Sequence, residues 1–251
     1  MTRFSANLGF LWTDRSLPEA IFAAHAAGFA AVECHWPYEA AANEVRAALD
    51  ETGLPMLSLN TRRGNPGENG LAALPGREAE ARAVIDEAVE YADAIDAHAI
   101  HVMAGFASGD RAHRTFVSNL VYATSQTDRT ILIEPLNRYD APGYFLTTTD
   151  QARGIIESIG VRTLKLMFDC YHVGRTEGDV MTRLGALQPV IGHIQFASVP
   201  DRGPPDQGEL NYAAIFAHIA ALGWTAPLGA EFKPRERSQI SSWIKSMTAD
   251  L

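Results

Sequence analysis

The sequence predicts a single (β/α)₈ barrel over residues 1–251, and three observations carry that expectation. Short apolar, β-rich runs alternate with longer stretches of helical periodicity from end to end, the pattern of a parallel α/β protein. Eight such units fit into 251 residues, and barrels of this architecture typically have about 250. The turn after the first strand, Asn7-Leu8-Gly9-Phe10, lacks the Gly-rich pattern that a doubly wound sheet would use to hold a dinucleotide.

The units follow in order. Phe4–Leu11 is the first expected strand. Leu17–Ala27 is its helix, with Ser16 as N-cap, Pro18 and Glu19 in the first turn and Gly28 as the stop. Ala30–Cys34 precedes a helix over Ala40–Glu51 that ends near Gly53, and Pro55–Leu59 precedes one over Arg77–Ala94. Ala99–Met103 is the fourth strand and Ala112–Ser125 its helix. Thr130–Glu134 leads to Thr149–Ile159, capped by Thr148 or Thr149, and Thr163–Asp169 leads to Glu177–Leu187. Val190–Phe196 and Tyr212–Leu222 form the seventh unit, closed by Gly223; Ala226–Phe232 and Arg235–Thr248 form the last. Two Gly/Pro-rich loops, residues 60–70 and 199–208, resist regular structure and leave the C-terminal ends of strands three and seven. That is the face where barrels place their chemistry, so both are candidates for lids, with plain surface loops as the alternative.

Composition narrows the function. A formal charge of −9 and no long Lys/Arg run argue against a nucleic-acid partner, which needs a basic face; Arg62-Arg63 is too short to provide one. No run of about 18 apolar residues is present, so no membrane span is expected. The opening Met1-Thr2-Arg3-Phe4-Ser5-Ala6-Asn7 lacks the layout of a secretory leader. Cys34 and Cys170 lie in apolar stretches and read as reduced core thiols of a cytoplasmic protein.

Polar residues stand where apolar strands end. Ile131-Leu132-Ile133 runs into Glu134, Leu166-Met167-Phe168 into Asp169, His193-Ile194 into Gln195, and Leu228-Gly229-Ala230 into Glu231. They are 35, 26 and 36 residues apart, near the repeat length of about 31 for eight units in this chain. Residues in phase with the repeat occupy equivalent strand ends and converge on the barrel axis. Three carboxylates and an amide oxygen at one point would repel without a cation, and an all-oxygen set suits Mg²⁺ or Mn²⁺. His172, three residues past Asp169, is a candidate to bond substrate or orient a ligand, or else a satisfied loop histidine. His101 on the fourth strand and Lys233 beyond the eighth are further substrate-binding candidates, with Lys233 suited to a carboxylate. Arg202, Asn7 and Glu33 are weaker candidates, and His193 is expected to lie deeper and pack.

At these residues the chain resembles the hydroxypyruvate isomerase family, within the xylose isomerase-like barrels, over nearly its whole length. The resemblance is carried by Arg3-Phe4-Ser5-Ala6-Asn7-Leu8, Val32-Glu33 with Pro37-Tyr38, Leu74-Pro75-Gly76-Arg77-Glu78, Ile133-Glu134-Pro135-Leu136-Asn137, and Asp140 followed by Pro142-Gly143-Tyr144. Gly208-Glu209-Leu210-Asn211-Tyr212 and Glu231-Phe232-Lys233-Pro234 complete it. His101-Val102-Met103-Ala104-Gly105 and Asp201-Arg202 look more like the related 2-oxo-tetronate isomerases, whereas Glu134-Pro135-Leu136-Asn137 looks more like the hydroxypyruvate isomerases themselves. The resemblance implies a metal on Glu134, Asp169, Gln195 and Glu231, with Glu134 and Glu231 as the acid/base pair.

The expected activity is metal-dependent isomerisation of a small hydroxy-oxo acid, such as hydroxypyruvate to tartronate semialdehyde, by two-glutamate proton transfer through a cis-enediolate. An epimerase on the same site, a barrel endonuclease for DNA repair and a non-catalytic sugar-acid binding protein are the alternatives. A homo-oligomer is expected by analogy alone.

Overall fold

The computed structural model describes residues 2–244 and residue 247. Eight parallel strands alternate with helices. They are β1 (Phe4–Asn7), β2 (Ala31–Glu33), β3 (Ser58–Asn60), β4 (Ala99–His101), β5 (Thr130–Ile133), β6 (Leu164–Asp169), β7 (Ile191–Phe196) and β8 (Leu228–Ala230). Pairing runs β2-β1-β8-β7-β6-β5-β4-β3. A parallel bridge between Val32 and Met56 joins β2 to the segment entering β3 and closes the ring.

The helices are α1 (Leu17–Ala26), α2 (Ala42–Thr52), α3 (Glu78–Ile95), α4 (Gly109–Gln126), α5 (Thr149–Ile159), α6 (Cys170–Thr176), α7 (Val180–Leu187) and α8 (Tyr212–Ala221). Ser16 and Glu19 form the reciprocal capping box that starts α1. Thr148, rather than Thr149, caps α5 by accepting from Gln151 N, and Asn211 caps α8 through Ala214 N. α2 and α5 stop at Gly53 and Gly160, both left-handed, where a glycine carries no Cβ penalty.

Three elements depart from the sequence expectation. β1 ends at Asn7 rather than Leu11, because the Asn7 carbonyl and side chain accept from Leu11 N and Gly9 N and turn the chain. The single helix expected over Glu177–Leu187 is replaced by α6 and α7. Asp169 caps α6 directly by accepting from Tyr171 N at 2.8 Å, and left-handed Gly178 and Asp179 separate the two helices. The expected helix Arg235–Thr248 begins as a 3₁₀ turn, Arg237–Ile240; residues 245, 246 and 248 of that range lie outside the described residues.

Strand parity divides the core. Ile100, Ile131, Ile133, Leu166 and Phe168 join the large outer core beneath the helices, whereas Ala99, Leu132 and Met167 form a separate small cluster. Successive strand residues face opposite sides, so the residues two positions further on, His101, Glu134 and Asp169, share the inner side with that cluster. The barrel is apolar low in its bore and polar at its C-terminal mouth. Phe4, Phe196, Phe216 and Trp243 pack edge-on beneath β1, β7 and β8, with ring centroids 4.8–5.7 Å apart. That cluster fixes the strands that carry Gln195 and Glu231. Among the described residues, no helix is long and apolar enough to cross a membrane.

Candidate active site

Asp169 closes β6 and Gln195 lies near the end of β7, while Glu134 and Glu231 directly follow β5 and β8. All four are buried. Asp169 pairs in register with Gln195, whereas Gln195 pairs with Gly229, so Glu231 stands two residues further along than the partner of Gln195. One side-chain atom each from Glu134, Asp169, His172 and Glu231 lies within 4.8 Å of the others, a group that could hold a metal ion.

Unpartnered atoms favour that reading. Glu134 Oε1, Asp169 Oδ2, Gln195 Oε1 and His101 Nε2 are buried and accept or donate no hydrogen bond. Buried polar atoms are nearly always satisfied, and a bare carboxylate oxygen is costly. Three unsatisfied oxygens on consecutive strand ends have the chemistry to hold a cation.

Arg202 provides positive charge inside the cluster. Its loop follows β7, and its own backbone is left-handed at φ 54°. The loop is tied down by Arg202 N to Ser198 O (2.9 Å) and Lys233 N to Arg202 O (2.7 Å). The guanidinium lies over Phe10 and Tyr171 at 4.8 and 5.0 Å, donates to Glu231 Oε2 and comes within 3.8 Å of Asp169 Oδ2.

The titration of the cluster follows from this arrangement. Burial, then the charges of Glu231 and Asp169, raises the Glu134 carboxyl well above its ordinary value. Burial and Glu231 push Asp169 up to about 8. Burial acts on Glu231 in the same sense, but Arg202 and a hydrogen bond from His35 overcome it and hold Glu231 below the usual carboxylate range. His101 and His172 are pulled down by burial, to about 4 and about 3, and are neutral near pH 7.

Tautomers assign the two histidines further. The backbone N–H of Asn137 donates to His172 Nδ1 at 2.9 Å, so the neutral ring carries its proton on Nε2. That proton faces Glu134 Oε1 at 3.8 Å and Asp169 Oδ2 at 3.6 Å. This makes His172 a donor toward the site in preference to a metal ligand. His101 Nδ1 lies 3.3 Å from Asn60 Oδ1 and 3.7 Å from Glu134 Oε2.

A cavity of about 490 Å³ opens above the cluster, with His101, Glu134, His172, Arg202, Glu231 and Lys233 on its wall. A larger cavity of about 610 Å³ shares Gly9, His35 and Trp36 with it but touches none of the clustered carboxylates. Lys233 is exposed at the rim, 5.3 Å over the Phe10 ring. Asn7 is not on the wall; it lies beneath, with Nδ2 donating to Glu33 Oε1 (2.9 Å) and Glu231 Oε1 (3.1 Å). His193 lies deep, as expected, but it bonds to Glu33 instead of only packing.

Three participants escaped the sequence reading. His35 Nε2 contacts Glu231 Oε1 at 2.9 Å; its position two residues beyond Glu33, on the same strand parity, was the available signal. Asp140 accepts from Tyr171 OH (2.7 Å) and Asn137 Nδ2 (3.0 Å) on the cavity wall. Arg63 reaches the same wall by stacking on Trp36 at 4.5 Å, a placement that depends on the path of its loop.

The chain is 44% identical to a 2-oxo-tetronate isomerase of Cupriavidus necator, with 98% of each chain covered. It is 36% identical to the hydroxypyruvate isomerase of Escherichia coli, covering 95% of this chain and 96% of that one. A crystal structure described as an AP endonuclease, family 2, from Brucella melitensis superposes with a TM-score of 0.94 at 33% identity, covering 99% of both. Residues 21–247 match the family described as the xylose isomerase-like TIM barrel. With this family match, these relatives and the closed ring of eight parallel strands, the chain belongs to the xylose isomerase-like TIM barrel family.

Proposed function

We propose that this chain is a metal-dependent isomerase of small hydroxy-oxo acids, moving a carbonyl between adjacent carbons of hydroxypyruvate or a 2-oxo-tetronate. The observation that carries the reading is the pair of buried glutamates, Glu134 and Glu231, on one cation-ready cluster at the mouth of the barrel. The relatives named as isomerases of such acids supply the substrate class.

Glu134, Asp169, Gln195 and Glu231 would hold Mg²⁺ or Mn²⁺, whose Lewis acidity stabilises negative charge developing on the substrate's oxygens. Glu231, kept ionised by Arg202 and His35, takes the proton from the hydroxyl-bearing carbon. Glu134 accepts the hydroxyl proton and delivers it to the neighbouring carbon, and Glu231 returns its own proton to the former carbonyl oxygen, so both carboxylates end as they began. His172 Nε2–H steadies a substrate oxygen. Lys233 and Arg202 draw the substrate carboxylate into the mouth against the acidic floor.

The test is a Mn²⁺-supplemented turnover screen in D₂O, following hydroxypyruvate and four-carbon 2-oxo acids by proton NMR. Migration of the carbonyl with solvent deuterium at carbon is the expected result. Inversion of a stereocentre with the carbonyl in place would replace isomerase by epimerase, and no turnover of either acid would count against both. The name of the Brucella relative makes DNA the third arm. A chain of net charge −9 and a clustered group with one histidine among three carboxylates predict no salt-sensitive DNA binding.

A further inference from the structure

Beneath the clustered carboxylates lies a second buried carboxylate that the proposed reaction does not use. Glu33, at the end of β2, is fully buried and surrounded by donors. Gln195 Nε2 donates to its Oε1 at 2.8 Å, Asn7 Nδ2 donates to the same oxygen at 2.9 Å, and His193 Nε2 lies against Oε2. Room for this carboxylate is built into β8. A Cβ on Gly229 would stand 2.7 Å from both Glu33 oxygens and 2.8 Å from Gln195 Cγ.

We infer that Glu33 is a positioning residue that sets which end of the Gln195 amide is offered to a metal ion, and through Asn7 also fixes Glu231. The inference rests on the reading of Gln195 as a ligand. A primary amide can turn over and exchange its oxygen for its nitrogen; only the oxygen can ligate a hard cation. With Nε2 committed to a carboxylate, turning over would set two acceptor oxygens against each other at hydrogen-bond distance. The amide is therefore held with Oε1 free, and Oε1 is buried without a partner beside Asp169 in register. Asn7 is locked independently, since its Oδ1 accepts from Gly9 N at 2.9 Å, leaving Nδ2 to bridge Glu33 and Glu231 Oε1. One carboxylate so orients two members of the ligand set from below. An amide ligand depends on such a partner more than a carboxylate would, because both oxygens of a carboxylate can ligate.

Calorimetric titration of Mn²⁺ into the metal-stripped protein tests this, with thermal melts of each variant alongside. Glu33→Leu, which removes the acceptor, is expected to weaken Mn²⁺ binding by about 10–100-fold. Glu33→Gln, which can still offer one carbonyl oxygen to Gln195 Nε2, is expected to recover most of that loss. Wild-type affinity in Glu33→Leu, or equal losses in the two variants, would overturn the inference. Should Glu33→Leu not fold, Gly229→Ala displaces the carboxylate without changing it, and unchanged Mn²⁺ affinity there is equally fatal. Gln195→Ala separates the two levels. Wild-type affinity in that variant removes Gln195 from the ligand set and this inference with it. Weakened affinity there beside an unaffected Glu33→Leu removes the positioning role alone.

Discussion

Glu134→Gln and Glu231→Gln are each expected to lower kcat by about 10²–10⁴-fold, the usual contribution of a positioned acid or base. The two variants should fail differently. Glu231 is the group held ionised, by Arg202 and His35, so its loss stops proton removal from carbon. Glu134 is the group placed to deliver a proton to the neighbouring carbon, so its loss stops product formation. Glu134→Gln should therefore still exchange the substrate's carbon-bound hydrogen for deuterium in D₂O while forming little product. Glu231→Gln should do neither. Glutamine preserves the shape of each side chain, so circular dichroism melts should show the fold intact. Near-normal turnover in both variants would sink the assignment, and the reverse pattern of exchange would swap the two roles.

Removal of metal is expected to leave a protein whose stability falls as pH rises from 7 to 8.5; below that window His101 and His172, held neutral in the fold, act in the opposite sense. Asp169, ordinarily near 3.8, is pushed up to about 8, first by burial and then by Glu231; Glu134 is raised for the same reasons. The sign follows from linkage. A carboxyl with a raised folded pKa binds more protons folded than unfolded between its two values, so its contribution is complete at low pH and lost as pH climbs through about 8. Ligand carboxylates must lose those protons to bind metal, so binding tightens over the same window. Metal at about 100 times its Kd stabilises by about 2.7 kcal/mol. At one fixed Mn²⁺ concentration, the rise in Tm should be larger at pH 8.5 than at pH 7. Thermal melts at both pH values, with and without Mn²⁺, check this. A metal-free Tm that increases with pH, or a Mn²⁺ shift of equal size at both, would contradict it.

The resulting site differs from its sequence reading mainly in what surrounds the four strand-end residues. Arg202 was a weak candidate by sequence, as one arginine in a Gly/Pro-rich loop. In the folded chain it is the cation nearest Glu231 and Asp169, because the loop's left-handed turn and its bond to Lys233 N carry it inward. His172 was open between site and filler; the Asn137 N–H on its Nδ1 decides which ring nitrogen faces the carboxylates. The stretch after Asp169 has too weak a local pattern to predict a helix, and Asp169's own capping bond makes it one.

The sequence by itself determined the eight alternating units and the level at which Glu134, Asp169, Gln195 and Glu231 end their strands. Apolar periodicity, caps and repeat spacing are local properties, and equivalent positions in a closed barrel converge without further information. Only the tertiary structure decided how those four residues are neutralised, oriented and supported. Glu231 meets His35 across 196 residues of chain, and Gln195 meets Glu33 across 162. These contacts exist because ring closure brings the first two strands beside the last two. Short-range spacing carries no record of which side chains face one another across the bore.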